Sequence, residues 1–243
     1  MPSPRVVSTA LAAMTVGLLV GCSVGTGAGV PAGDPSSLRD AVPSAVASTS
    51  AAPIPAPPTR VAAPAPDPEP TALSRSAELA IPAIDLTALR IVPYEGTTDD
   101  AAGTRIQDRG VAASPYGKNG GVGPGEVGNY LVTAHRLSAG GPLRELPAVG
   151  VGDSVQVTQG DTVYVYTITG TRETSFRSAR SLAEQRAAVP GEPGRTPSRA
   201  MITLSTCATP EDNAAGNRWR DAQGNPEHRI DKIGVLTSTR PAS

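Results

Sequence analysis

The sequence predicts a mostly β domain, a barrel or a sandwich, carried at the end of an unstructured stalk. From residue 76 onward, short apolar stretches with strand-like alternation recur between turns rich in Gly and Pro. Only PLRELPAV and SLAEQRAAV have apolar spacing nearer 3.6, so helices should be short. Ahead of that region, residues 30–74 are dominated by Pro, Ala and Ser and contain no aromatic residue, so they bury too little apolar area to offset chain entropy.

The elements follow in order. ELAIPAIDLTALRIVPY alternates around Pro82 as an edge strand does, because proline cannot donate to a ladder. EVGNYLVTAH reads as a buried strand. DSVQVT and TVYVYTITGTRE, joined by Gln159-Gly160-Asp161, form a hairpin. AMITLSTC and HRIDKIGVLTS supply two more strands, and no fixed-period repeat is visible.

Composition sets limits on function. The chain has 243 residues, a formal net charge of -1 and 39% hydrophobic content, ordinary for one globular domain with tails and giving no reason to expect nucleic acid as a partner. Lys118 and Lys232 are the only lysines, and Ala, Gly, Pro and Arg abound, so an arginine counts only by its position.

Residues 1–21 hold one basic residue, Arg5, and an apolar run from Val6 to Val20, the pattern of an export signal. Leu19-Val20-Gly21-Cys22 resembles the lipobox of bacterial lipoproteins, which makes Cys22 a candidate lipidation site and places the domain on the extracellular face of the plasma membrane. An uncleaved N-terminal membrane anchor is the competing reading, although the apolar part is shorter than the roughly 20 residues a span needs. Residues 22–75 then form a Pro/Ala/Ser-rich linker, in which the roughly 45 residues of the 30–74 stretch, at about 3.1 Å per residue, reach on the order of 140 Å. The catalytic or binding domain is assigned to 76–243. A disulfide between the two cysteines is disfavoured, since acylation consumes the Cys22 sulfur and leaves Cys207 unpaired.

Cys207 closes the strand AMITLSTC. By strand alternation Ile202, Leu204 and Thr206 share one face and Thr203, Ser205 and Cys207 the other, so the thiol points with hydroxyls and is expected to face a groove. A thiol becomes an effective nucleophile when an imidazole or a cation favours its thiolate. His135, at the end of NYLVTAH, is the candidate base, and Arg229 is the candidate donor to an oxyanion. His228 adjoins Arg229 and should face the opposite way, as should Arg136 beside His135, and Asp231 is positioned to orient the Arg229 guanidinium. GKNGGVGPGEVGN lacks the ending and the following helix of a phosphate loop. Asp99-Asp100 reads as a pair of solvated turn residues, and no metal site or cofactor is expected.

TAHR, then ITLSTC some seventy residues later, then HRIDKIGVL after a loop, together resemble a sortase, most closely the class E sortases of high-GC Gram-positive bacteria. The opening ELAIPAIDL resembles the family's Ile-Pro strand. The resemblance implies a single eight-stranded β-barrel with short helices and a cysteine transpeptidase. Cys207 would attack the Thr-Gly bond of a C-terminal sorting signal of Leu-Ala-x-Thr-Gly or Leu-Pro-x-Thr-Gly type. His135 would serve as acid and base, Arg229 would hold the carbonyl, and Thr206, Ser205 and Trp219 would contact substrate. The partners implied are surface proteins bearing the signal, a peptidoglycan amine as acceptor, and the membrane. A lipobox in place of the usual membrane anchor departs from the family pattern. Two alternatives remain: an L,D-transpeptidase, against which STC stands in place of His-Gly-Cys, and a degenerate envelope lipoprotein that binds wall peptides without catalysis.

Overall fold

The structure, a computed structural model, describes residue 73 and residues 75–242. The export signal of residues 1–21, the lipidation site Cys22 and nearly all of the linker lie outside the described residues. No helix among the described residues is long and apolar enough to cross a membrane.

The first strand, β1 (Ala77–Ile81), buries Ala77, Leu79 and Ile81, as its alternation requires. Pro82 starts a single 3-10 turn closed by Asp85 in the left-handed region, φ 55°, and the chain returns as β2 (Leu86–Glu95), antiparallel to β1. Next come α1 (Ala101–Gln107) and β3 (Ala112–Tyr116), which pairs parallel to β2. A parallel pair needs a crossover, and α1 supplies it. The sequence reading had no helix or strand here. The start of α1 is nonetheless chemically explicit, because the Asp100 carboxylate accepts from Gly103 N at 2.7 Å and from Thr97 N at 3.0 Å.

The chain continues with β4 (Gly128–Thr133) and the expected hairpin of β5 (Ser154–Gln159) and β6 (Thr162–Ser175). The hairpin turns at Gly160, φ 56°, a conformation that side-chain-bearing residues rarely adopt. Helix α2 (Ala179–Arg186) starts at Ser178, whose hydroxyl accepts from Ser181 N at 3.1 Å. It is followed by β7 (Ala200–Cys207), α3 (Thr209–Ala214) and β8 (His228–Pro241). The PLRELPAV segment holds only a 3-10 turn, Leu146–Ala148. Eight strands close in the order β1-β2-β3-β4-β7-β8-β6-β5, confirming the mostly β barrel.

Leu79, Ile81, Ile91, Val132, Val155, Tyr166, Ile168, Ile202 and Leu204 fill the interior. Truncating one such Leu or Ile to Ala costs about 2–5 kcal/mol. The parallel pair β4/β7 is buried on both faces: every residue of β4, and Ile202 to Thr206 of β7, is buried. The outer face lies under α2, whose Gln185 donates to Ser205 Oγ at 3.2 Å and to Asp231 Oδ1 at 3.0 Å. Asn129 answers from β4, donating to the carbonyls of Gln185 and Ala187.

Candidate active site

Register brings the first two candidate residues together. Thr133 of β4 pairs with Ser205 of β7 in parallel, and each strand ends shortly afterwards. Two residues on, the chains place His135 and Cys207 at adjacent ends, tied by Ala134 N to Ser205 O at 3.2 Å and Thr206 Oγ1 to Ala134 O at 2.8 Å. Both side chains line a groove of about 180 Å³. Its walls also include Thr104 and Asp108 from α1 and the turn after it, Leu137 and Ser138 after β4, and Asn225 and Pro226 from the loop before β8. A larger hollow, about 410 Å³, over β1, β2 and β5 contains no thiol or imidazole.

The third candidate arrives across the antiparallel ladder, where Cys207 and Arg229 are register partners. Arg229 does not line the groove. It is 1% exposed and sits behind the groove wall, with Nη1 donating to Pro226 O at 3.2 Å and to His228 O at 3.4 Å. Its guanidinium packs 4.1 Å from the centroid of the Phe176 ring, a favourable cation–π contact. Nε donates to Asp99 Oδ2 at 3.0 Å. Asp231 does not serve this purpose, contrary to the sequence expectation. It is buried beside β6 and α2, and although the ladder is regular here, with Arg229 facing Cys207 and Asp231 facing Ser205, the Asp231 oxygens are taken by Thr174, Ser205 and Gln185 while Arg229 turns to Asp99. Asp99 is likewise not a solvated turn residue, being 8% exposed and ion-paired.

The electrostatics of the sulfur follow from these neighbours. Burial pushes the Cys207 thiol above its ordinary range; Arg229 pulls it down, while Asp99 and Asp221 push it up further. The net direction is upward. Arg229 keeps its charge, since Asp99, with help from Cys207, outweighs the burial that alone would lower its pKa. His135 is held by Asp108, 2.9 Å from Nε2 to Oδ1, and Asp108 is largely exposed.

The other assigned residues stand apart. Ser205 and Thr206, assigned as substrate contacts, are buried, their hydroxyls donating to Asp231 Oδ1 and Ala134 O, and neither lines the groove. Trp219 is also outside the groove lining. It is half-buried in the loop between α3 and β8, its backbone N–H donating to Asn217 Oδ1 at 3.0 Å. Arg136 comes nearer than parity implied, lining the groove and pairing with Glu211 at 2.5 Å. His228 faces away, with Nδ1 2.6 Å from Asp212 Oδ1. Among the described residues no group of three or more His, Cys, Asp or Glu is placed to hold a metal ion.

Sequence reasoning missed Asp99, Asp108 and Phe176. Thr-Thr-Asp-Asp before Ala-Ala is an N-cap signature that could have placed α1, but the pairing of Asp99 with a residue 130 positions away left no local signal.

The sequence matches a family model described as the Sortase domain over residues 79–220, more than half of the chain. That stretch includes His135 and Cys207 and stops short of Arg229. Among solved structures, sortase E from Streptomyces avermitilis is 25% identical, covers 70% of this chain and 91% of its own, and has a TM-score of 0.50. The SrtA sortase from Actinomyces oris is 22% identical, with 69% and 82% covered and a TM-score of 0.52. Sortase E1 from Streptomyces coelicolor, solved with a tripeptide in the active site, is 24% identical, with 69% and 91% covered and a TM-score of 0.51. No curated protein matches the chain.

Proposed function

This chain belongs to the sortase family, whose members are cysteine transpeptidases, and on that premise we propose that Cys207, His135 and Arg229 carry out transpeptidation at the groove between β4, β7 and β8. The observation that carries the reading is the register that sets His135 and Cys207 at neighbouring strand ends on one groove, with Arg229 opposite the sulfur.

Cys207 Sγ attacks the Thr carbonyl carbon of a Leu-Ala-x-Thr-Gly or related sorting signal, its proton passing to His135. A C–S bond forms and the carbonyl becomes an oxyanion, which Arg229 stabilises with a preorganised positive donor. The C–N bond breaks as the imidazolium gives its proton to the departing Gly amine, leaving a thioester on Cys207. A cell-wall amine, on a peptidoglycan precursor or cross-link, then attacks the thioester. His135 takes its proton, the C–S bond breaks and the thiol is restored. The domain works at the outer face of the plasma membrane, tethered through lipidated Cys22 or through an uncleaved N-terminal anchor. Intact mass of the mature N-terminus separates these two attachments.

The substrate assignment is tested by incubating the full chain with a Leu-Ala-x-Thr-Gly peptide and hydroxylamine, which intercepts thioesters. A hydroxamate at the Thr carboxyl, absent with Cys207→Ala, is expected. Cleavage at another bond, or an intact peptide, contradicts the assigned signal.

A further inference from the structure

Arg229 has five N–H donors in a planar fork, and the fold occupies most of them. Nε–H is bonded to Asp99, and Nη1 faces the carbonyls of Pro226 and His228. Nη2 is buried with no hydrogen-bond partner. An unsatisfied buried donor on a charged group is costly, so each such group calls for an explanation. This one belongs to the side chain opposite Cys207.

Asp99 is built into place from several sides. Its Oδ2 meets Arg229 Nε at 3.0 Å, and its Oδ1 accepts from Gln107 Nε2 of α1 at 3.0 Å. The adjacent Thr98 hydroxyl donates to Gln185 at 2.9 Å and accepts from Arg186 Nε at 3.0 Å. The Asp99 backbone sits in the left-handed region, φ 57°, a conformation that disfavours side chains and concentrates at functional sites. The residue is thus anchored by β8, α1 and, through its neighbour, α2.

We propose that Asp99 is the positioning residue of the reaction: by fixing Arg229 Nε it holds the fork behind Pro226 with Nη2 unpartnered, and a substrate that displaces this part of the groove wall brings its oxyanion to that nitrogen. This rests on the proposed role of Arg229 and adds the group that aims it. A neutral or displaced partner at position 99 lets the fork turn on its long stem, and the donor is lost in the transition state while the bound peptide, held elsewhere, is little affected.

The test compares the full chain with Asp99→Asn, in the native and Arg229→Ala backgrounds, using the Leu-Ala-x-Thr-Gly peptide. Asn preserves the side-chain shape and tolerates the left-handed backbone. Asp99→Asn is expected to lower kcat roughly 100-fold with KM within about threefold, and to cause no further loss once Arg229 is Ala. Equal losses in both backgrounds, or unchanged kcat, overturn the proposal. Should Asp99→Asn fail to fold, Asp99→Glu keeps the charge and displaces the fork, and wild-type kcat in that variant is the overturning result. Nitrogen-15 NMR needs no peptide: the Arg229 Nε–H should exchange slowly in the native chain and fast in Asp99→Asn. A native chain that leaves the peptide intact refutes the substrate assignment alone, whereas equally fast Nε–H exchange in both proteins refutes the positioning role.

Discussion

Cys207 and Arg229 are paired directly across β7 and β8, and the guanidinium opposite the sulfur is clamped by Asp99 from one side and by Phe176 at 4.1 Å. The clamp uses planarity as well as charge. Arg229→Lys, which keeps the charge and loses the fork, is therefore expected to reduce kcat by about 100-fold or more with a small change in KM. Steady-state kinetics decide it, and wild-type kcat in the Lys variant removes Arg229 from the mechanism.

His135 and Asp108 are unequal partners. His135→Ala should lower kcat by about 10²–10⁴-fold, the usual range for a general acid–base. Asp108 is 59% exposed, and an ion pair so accessible to water is worth less than about 1 kcal/mol. Asp108→Asn should thus cost no more than about fivefold in kcat. A loss matching that of His135→Ala contradicts this ranking.

His228 is expected to contribute to stability and not to turnover. Burial alone would lower its pKa, but the bond to Asp212, with Glu173 and Glu227 nearby, raises it overall. A histidine whose folded pKa lies above its unfolded value adds stability that is fully present below about pH 6.5 and is lost as pH rises through the folded value. His228→Gln should accordingly lower Tm at about pH 5.5 more than at about pH 8.5, with peptide cleavage unchanged. A pH-independent Tm loss, or lost cleavage in a folded variant, contradicts it.

Gln185 ties α2 to the strands beneath it through Ser205 and Asp231, and to the turn before α1 through Thr98. Burial holds the Asp231 carboxyl above its usual range, opposed by its bonds to Ser205, Thr174 and Gln185. A carboxyl raised on folding loses stability as pH climbs from its unfolded pKa near 3.9 to its folded value, and removing a donor steepens that loss. Gln185→Leu should cost about 1–3 kcal/mol by denaturant unfolding near neutral pH, and less near pH 4. The reverse order would show that Asp231 gains nothing from Gln185.

What the sequence made legible was set by local periodicity. The AMITLSTC alternation located β7 and the groove-facing thiol, and the Gly160 turn located the β5/β6 hairpin. Alternation set Ser205 beside Cys207 and Thr206 beside Ile202 and Leu204, but it could not show that α2 folds back over β4 and β7 and encloses Ser205. Helix α1 and strand β3 escaped notice because AAGTRIQ and AASPY are short and only weakly patterned. Asp99, Asp108 and Phe176 act through partners distant in sequence, and no spacing rule reaches that far.

The central claim is that the Cys207 sulfur becomes acylated by the sorting signal. Intact-mass analysis of the full chain, quenched in acid during turnover of a Leu-Ala-x-Thr-Gly peptide, should show one added acyl group ending at Thr. That group should map to Cys207, be released by hydroxylamine and be absent from Cys207→Ala. Turnover without any adduct at Cys207, or an adduct that persists in Cys207→Ala, would contradict it.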